Sequence, residues 1–249
     1  MPHSNFGRGV SMINVLLPAM GTSAFFKDNY FPKPLIEING KTMLELVVEN
    51  YSSLEPKNYI FVFSEEDCRK FHLDASAKIL TPAGKVVSLR GQTAGALCTC
   101  LMAINFINDD TPLLIANSDQ VINADYREVI RHFESIGADA GVITFPSIHP
   151  RWSYARKNGD EVVEVAEKRP LSKDAIAGFY YYKKGEDFIT AAKKALIKQN
   201  QLDGKYYISA SINELILMGK RVGYYDITKE QYKSFYSPAK IKEFEEAPK

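Results

Sequence analysis

The sequence has few cysteines and few histidines. Its 249 residues include three cysteines, Cys68, Cys98 and Cys100, which show neither a paired framework nor a C-x-x-C spacing. This pattern argues against a disulfide scaffold or a zinc site and favours core thiols in a reducing compartment. Cys98 and Cys100 are two apart in a predicted helix and face different sides, which also argues against a metal site. The four histidines are scattered, and we expect none to be catalytic.

Net charge and long apolar runs are also missing. The 31 Lys and Arg residues balance 30 Asp and Glu residues, so no global field favours nucleic acid or an anionic membrane as a partner. No segment approaches the roughly 20 apolar residues that a membrane span needs. Residues 1–10 lack the apolar middle of a secretory signal. We therefore expect a cytoplasmic protein with a flexible N-terminus over 1–10 and with neither nucleic acid nor membrane as a partner.

The sequence does contain enough apolar material for one sizeable core. Hydrophobic residues make up 45% of the chain, and neither an internal repeat nor a low-complexity stretch divides it. A chain of this length closes a core without metal or disulfide staples. We predict a single domain over residues 1–249.

Apolar runs alternate with helical patterns in the first half of the chain. The run 12–17 predicts a strand buried on both faces, and Thr42 is the predicted N-cap of a helix with apolar residues at 44, 47, 48 and 51. Further predicted strands are 59–63, 78–80, 86–89 and 113–116, and further predicted helices are 65–71, 93–106 and 126–134. This alternation favours a parallel sheet with right-handed crossovers.

The pattern changes after residue 134. Strands are predicted in quick succession over 140–145, 152–156, 161–165 and 176–182, followed by helices over 188–196 and 209–218 and a last strand over 221–225. The succession predicts an antiparallel portion that extends the sheet or forms a lid. The predicted fold class is therefore α/β: a Rossmann-like, mostly parallel mixed sheet flanked by helices, with a small antiparallel extension.

The loop after the first strand carries the strongest chemical signal. Small residues there, such as Gly21, let backbone N–H groups approach a phosphate closely. Pro32 and Pro34 restrict the backbone on both sides of Lys33, so its ammonium group is presented from a stiff support. Such a fixed charge suits a triphosphate oxygen whose charge grows during transfer. Without its neighbours, Pro-Lys-Pro would indicate only a surface turn with a solvated lysine.

The motifs together resemble the sugar-nucleotide pyrophosphorylases, nucleotidyltransferases that join an NTP to a sugar phosphate or similar phosphate. The resemblance covers most of the chain, and the order and spacing of its motifs are specific. The motifs are P-K-P-L at 32–35, N-G-K at 39–41, Q-T-A-G-A at 92–96, N-S-D at 117–119, E-K-R-P at 167–170 and A-G-F-Y at 177–180.

The resemblance implies three groups of site residues. The catalytic residues would be Lys33, which would neutralise the α-phosphate, and Asp119, which would bind Mg²⁺ as the cofactor. The nucleotide would be bound by Ala19, Gly21, Thr22, Ser23, Gln92, Gly95 and Ser118. The phosphorylated acceptor would be bound by Glu167, Lys168 and Gly178.

The implied reaction transfers a nucleoside monophosphate from an NTP to a phosphorylated sugar or small polar metabolite and releases pyrophosphate. In-line displacement needs positioning and charge neutralisation, with no covalent intermediate. The resemblance places such a reaction in sugar-nucleotide biosynthesis, for example the supply of capsule or polysaccharide precursors. It is compatible with a homo-oligomer.

The sequence departs from the family pattern at two places. Ala24 stands where the family loop has an arginine that grips the β- and γ-phosphates, and one glycine of that loop is absent. Ser234 stands where a second metal-binding carboxylate often precedes the C-terminal motif. Glu214 and Asp226 are candidates for the missing oxygen ligand.

Alternative interpretations stay open at the level of sequence. Asp119 could be a helix cap, residues 167–169 a solvated charge run, and Gln92 and Gly95 part of a helix start capped by Thr93. At the level of function, the alternatives are a nucleotide-binding or nucleotide-sugar-binding protein with weakened catalysis and a glycosyltransferase of the related GT-A fold. Lys33 between two prolines argues against the glycosyltransferase.

Overall fold

The computed structural model of the protein describes residues 12–21, 24–55 and 57–247. The strands in this part are β1 (Ile13–Pro18), β2 (Glu37–Ile38), β3 (Lys41–Thr42), β4 (Lys57–Ser64), β5 (Lys85–Leu89), β6 (Leu113–Ala116), β7 (Gln120–Ile122), β8 (Ala140–Pro146), β9 (Ser153–Asn158), β10 (Glu161–Glu167), β11 (Asp174–Tyr182), β12 (Val222–Asp226) and β13 (Tyr232–Ser234). The helices are α1 (Met43–Asn50), α2 (Glu65–Phe71), α3 (Leu73–Leu80), α4 (Ala96–Leu101), α5 (Ile104–Ile107), α6 (Tyr126–Ser135), α7 (Gly185–Ile197), α8 (Ser209–Leu217) and α9 (Pro238–Glu245).

Within the described residues, nine strands form one mixed sheet with β1 near its centre. β1 pairs in parallel with β4 on one side and with β6 on the other, and β4 pairs in parallel with β5. The chain first builds β1, β4 and β5 outward and then crosses back to place β6 on the opposite side of β1. The carboxyl ends of β1 and β6 therefore mark the point where the strand order reverses, which is where open α/β sheets bind ligands.

The second half of the chain adds the antiparallel extension. β11 pairs antiparallel with β6 and β8, β9 and β10 form an antiparallel pair, and β12 lies parallel to β8. The predicted fold class, a mostly parallel α/β sheet with a small antiparallel extension, is confirmed.

The core has a layer on each face of the sheet because side chains alternate along β1. Val15 and Leu17 pack into a cluster with α1 and α6, whereas Leu16 packs into a second cluster with α4, α7 and α8. A strand covered by helices on both faces needs apolar residues at successive positions, which explains the continuous apolar run. Thr42 caps α1 as predicted, since its hydroxyl accepts a hydrogen bond from the Glu45 N–H at 3.2 Å.

One predicted element was wrong, and another was predicted with the wrong start and without its interruption. Residues 78–80 form the end of α3 and not a strand, because Leu73 and Ala77 are buried at helical spacing against the core. The predicted helix over 93–106 starts only at Ala96 and is interrupted between α4 and α5. Gly95, and not Thr93, occupies the N-cap position.

The cysteines lie at different depths. Cys100 is fully buried, and burial raises the pKa of its thiol, whereas Cys68 and Cys98 are half-buried. All of them are free, so the expectation of a core thiol is met at Cys100. Within the described ranges, no helix combines the length and apolarity that crossing a bilayer requires.

Candidate active site

The carboxyl ends of β1 and β6 lie side by side because the two strands pair in parallel, with Leu16 opposite Ile115. Ser118, just after β6, donates a hydrogen bond from its hydroxyl to the Pro18 carbonyl at 3.2 Å and ties the two strand ends together. Ala19 follows β1, is buried, and donates its backbone N–H to the Val62 carbonyl at 2.9 Å. Gly21 is exposed at the same edge. Thr22 and Ser23 lie outside the described residues.

Lys33 reaches this edge from a short 3-10 helix formed by Lys33–Leu35. Pro32 is extended, with ψ at 154°, and its carbonyl accepts the Leu35 N–H at 2.9 Å, so the start of the turn is rigid. The Lys33 ammonium group forms an ion pair with the Asp119 carboxylate and lies 5.5 Å from the centre of the Phe26 ring. The exposed fraction of the Lys33 side chain is 15%, so Lys33 is not a solvated surface lysine.

Asp119 is held in place by a strand from the far end of the chain. β13 pairs antiparallel with β7, which puts Ser234 opposite Gln120, and the Phe235 N–H donates to the Asp119 carbonyl at 2.7 Å. Sequence analysis predicted neither β13 nor α9. The structure therefore places Ser234 beside Asp119, where the family resemblance suggested a missing second carboxylate.

Gln120 anchors the segment 117–119, which follows β6, to β11. It is fully buried, and its amide nitrogen donates to the carbonyls of Ala177 and Gly178, the latter at 3.1 Å. Its amide oxygen accepts from the Tyr232 hydroxyl at 3.2 Å, and burial raises the pKa of that phenol, which keeps it protonated as a donor. Sequence reasoning missed Gln120 because no motif marks a buried glutamine.

Gly178 packs against the same segment, residues 117–119. Its φ of +59° is in the left-handed region, and its carbonyl accepts the Asn117 N–H at 3.0 Å. A Cβ atom at this position would collide with the Asn117 side-chain amide. The structure thus gives Gly178 a backbone role beside Asp119, and the predicted contact with substrate stays a prediction.

The other two candidate oxygen ligands are engaged elsewhere. Glu214 is 2% exposed and accepts a hydrogen bond from Lys198 at 2.7 Å. Asp226 accepts from Thr144 at 2.6 Å and from Lys157 at 2.5 Å. In the part of the chain that the structure describes, no group of three or more His, Cys, Asp or Glu side chains could hold a metal ion.

These donors nevertheless fit Mg²⁺ bound in its usual way. Mg²⁺ keeps several waters and is commonly held by one or two protein carboxylates together with phosphates of the substrate. Asp119 offers a single carboxylate, and Ser234, which lies opposite the next residue, Gln120, adds none. A metal site of this type needs the nucleotide to complete it.

A cavity of about 730 Å³ lies at the carboxyl ends of β1, β4 and β5. Gln92 lines it together with Met20, and Arg90 and Glu65 on its wall form an ion pair with 2.5 Å between Nε and Oε2. Sequence reasoning identified Gln92 but not the ion pair. The size of this cavity, and its position at the edge of the sheet that Lys33 reaches, suit a nucleotide.

Gly95 has a structural explanation. Its φ is +119°, and a Cβ atom would collide with the backbone of Tyr206. Tyr206 donates its N–H to the Ala94 carbonyl at 2.8 Å and accepts the Leu97 N–H at 3.1 Å. Only a glycine lets this segment approach so closely.

A second cavity, of about 320 Å³, lies between the end of β10 and the start of α8 and is lined by Glu167. The Glu167 carboxylate accepts hydrogen bonds from the hydroxyls of Ser153 and Ser209, the latter at 2.8 Å. Glu167 is therefore a positioned acceptor and not part of a solvated charge run.

Lys168 follows in a left-handed conformation, with φ at +52°. Its ammonium group lies 5.0 Å from the centre of the Tyr207 ring and 3.8 Å from an Asp203 carboxylate oxygen. The hydrogen bond with Tyr207 is the main cause that raises the pKa of Lys168, so this lysine is charged at neutral pH. Tyr207 also lines the cavity next to Glu167.

Comparison with solved structures identifies the same fold elsewhere. The nucleoside-diphosphate-sugar pyrophosphorylase from Vibrio cholerae RC9 is similar with a TM-score of 0.80 at 20% identity, covering 94% of this chain and 100% of that chain. A UDP-glucose pyrophosphorylase complexed with UDP-glucose is similar with a TM-score of 0.75 at 15% identity, covering 93% of this chain and 96% of that chain.

Comparison of sequences adds a relative that matches part of the chain, and a family. The bifunctional protein GlmU of Buchnera aphidicola subsp. Acyrthosiphon pisum is 33% identical over 107 residues, which are 43% of this chain and 22% of that protein. The chain thus matches about a fifth of the length of that relative. The family model described as nucleotidyl transferase matches residues 29–230, most of the chain. This chain belongs to the nucleotidyl transferase family.

Proposed function

We propose that this protein transfers a nucleoside monophosphate from an NTP to a phosphorylated sugar or similar small metabolite and releases pyrophosphate. The observation that carries the proposal is the contact between Lys33 and Asp119 at the point where the strand order reverses. Membership of the nucleotidyl transferase family and the fold shared with sugar-nucleotide pyrophosphorylases support it.

Lys33 neutralises the α-phosphate during the reaction. A phosphate oxygen of the acceptor attacks the α-phosphorus, the bond from that phosphorus to the bridging oxygen breaks, and pyrophosphate leaves with the bonding electrons. Negative charge shifts to the transferred group and the leaving group, so a fixed cation nearby lowers the barrier. In the structure, the charge of Lys33 is balanced by Asp119.

Asp119 changes partner when the nucleotide binds. The Lys33 ammonium group would then pair with the phosphate, and the Asp119 carboxylate would be free to hold Mg²⁺. Bound Mg²⁺ supplies further neutralisation of the triphosphate. The ion pair thus keeps the carboxylate oriented before the substrate arrives.

The nucleotide occupies the larger of the two cavities described above, and the acceptor occupies the smaller one. The base lies against Gln92 in the larger cavity, and the triphosphate follows the loop after β1. Ala19, Gly21, Thr22, Ser23, Gly95 and Ser118 complete the proposed nucleotide site. The acceptor binds in the smaller cavity, where Glu167 accepts hydrogen bonds from its hydroxyls. Lys168, whose ammonium group lies over the ring of the cavity residue Tyr207, neutralises its phosphate, and Gly178 completes the proposed acceptor site.

Pyrophosphate release measured across the common NTPs and a panel of sugar phosphates tests the proposal. One combination should give turnover that depends on Mg²⁺. Lys33→Gln should lower kcat by roughly 100-fold, as removal of a preorganised charge does. The matched control is Lys41→Gln, which changes a lysine paired with Glu49 outside the site. Release from no combination, by a protein that binds nucleotide, would contradict the proposal.

A second candidate function is a nucleotide-binding protein with weakened catalysis. Two observations favour it. Ala24 is exposed and offers no cationic side chain for a phosphate, and Ser234, opposite Gln120, offers no carboxylate for a metal ion. Ala24→Arg separates the two candidates. Nucleotide binding that is already present, with turnover that rises sharply only in Ala24→Arg, would favour the binding protein.

A further inference from the structure

A third cavity, of about 390 Å³, lies between β13, α9 and the loop that follows β8. We call it the β13 cavity; cationic side chains contribute much of its wall, and these are Arg151, Lys229, Lys233 and Lys240. The proposed reaction uses none of these residues.

The charges on the wall of the β13 cavity are not balanced. Lys240 forms an ion pair with Glu243. Within the described ranges, no salt bridge involves Arg151, Lys229 or Lys233. Besides Glu243, the wall carries one more carboxylate, that of Glu230. A concave surface with excess positive charge attracts anions.

Arg151 is held in a fixed orientation by two aromatic rings. Its guanidinium carbon lies 3.7 Å from the centre of the Tyr236 ring and 4.9 Å from that of the Trp152 ring. Stacking leaves the edge of the guanidinium group free to donate two parallel hydrogen bonds to an oxyanion.

Arg151 also has an unused donor. Its Nε atom is buried and has no hydrogen-bond partner among the described residues. Buried donors without partners are rare in folded proteins because their desolvation is not compensated. An acceptor from outside the described residues would satisfy this donor.

We propose that the β13 cavity binds a phosphate-bearing small molecule, with Arg151 as the oriented donor and with Lys229 and Lys233 as supporting charges. A phosphate offers several acceptor oxygens, which match a guanidinium fork and two ammonium groups. Ser234 lines the same cavity and lies opposite Gln120, so the ligand binds one strand away from Asp119. The inference does not depend on the proposed reaction.

The chain supplies its own reporter for this site. Trp152 is the only tryptophan in the sequence, and it lies in the cavity wall. Titration with inorganic phosphate at constant ionic strength should change its fluorescence in a saturable way. Lys233→Gln should raise the apparent Kd by about tenfold, because one unit charge near the anion is lost. Arg151→Lys, which keeps the charge but loses the fork, should also raise it.

Two controls make the test specific. Lys193→Gln removes an exposed lysine of α7 without changing the cavity, and it should leave the apparent Kd unchanged. Lys33→Gln should also leave it unchanged, since Lys33 lies at the catalytic edge. The proposal is overturned if phosphate gives no saturable change, or if Lys33→Gln abolishes the change while Lys233→Gln does not.

Kinetics then distinguish the source of the phosphate. If Lys233→Gln raises KM for the phosphorylated acceptor while kcat is unchanged, the β13 cavity, and not Lys168, holds the acceptor's phosphate. If KM for the acceptor is unchanged and the fluorescence response is lost, the cavity holds a separate phosphorylated ligand. Either result supports a phosphate site, and the fluorescence titration is informative even if no transferase activity is found.

Discussion

Lys33 and Asp119 belong to segments 86 residues apart in sequence and meet in one ion pair. Their motifs were recognisable because each has a local cause: flanking prolines fix the lysine, and a buried strand ends just before the aspartate. Gln120, Ser153 and Ser209 could not be identified in the same way. Their roles come from hydrogen bonds across the fold, and no local pattern encodes those contacts.

Ser234→Asp should strengthen Mg²⁺ binding. The new carboxylate would lie opposite Gln120, the residue after Asp119, and would add a second anionic group near the proposed cation site. We expect the Mg²⁺ concentration that gives half-maximal pyrophosphate release to fall by about tenfold, because a second anionic ligand is added. The control is Ser52→Asp, which adds a carboxylate at an exposed serine outside the site. An unchanged Mg²⁺ dependence would show that residue 234 does not face the metal.

At the scale of elements, the long strands and helices were predictable and the short ones were not. The central strand β1 was predicted from its apolar run, whereas β13 has only three residues and gains its stability from pairing with β7, more than 100 positions earlier. The segment 78–80 is apolar enough for a strand, yet tertiary packing of Leu73 and Ala77 keeps it helical. Local pattern cannot reveal such long-range pairing.

Gly178→Ala tests how β11 of the antiparallel extension holds the segment 117–119 in place. The residue has φ at +59°, and its new Cβ atom would meet the Asn117 amide. We expect a loss of about 2–3 kcal/mol in the free energy of unfolding, from backbone strain together with the clash. Urea denaturation measures it.

Gly159→Ala is the matched control for this substitution. Gly159 has nearly the same φ, +57°, but no atom lies within 4 Å of its ideal Cβ position. Gly159→Ala should therefore lower the free energy of unfolding only by the backbone strain, about 1 kcal/mol. Equal losses for the two variants would mean that Asn117 moves freely and that Gly178 does not hold the segment 117–119.

At the scale of the whole molecule, strands of one sheet contribute to both cavities of the proposed reaction and lead into Asp119, the partner of Lys33. The predicted α/β class followed from the alternation of elements, and the crossover from β5 to β6 then fixed which strand ends meet. The expected single domain, cytoplasmic location, possible homo-oligomer and lack of nucleic acid or membrane partners stay predictions. They depend on properties of the full chain in its cell and not on the described fold.

A single domain should unfold in one cooperative step. Far-UV circular dichroism follows all helices and strands, and Trp152 fluorescence follows the antiparallel side of the sheet. Because both core clusters share the strands of one sheet, the two thermal transitions should coincide. Separate midpoints would mean that the antiparallel extension unfolds on its own.

The most direct measurement for the central claim is the steady-state rate of pyrophosphate release by Asp119→Asn at saturating Mg²⁺. The substitution keeps the shape of the side chain but removes the charge that faces Lys33. We predict a kcat lower by roughly 100-fold, as for the loss of a preorganised charged group. Asp160→Asn, which changes an exposed aspartate between β9 and β10, should retain the full rate. If Asp119→Asn stays folded and retains the full rate as well, Lys33 and Asp119 do not form the catalytic site.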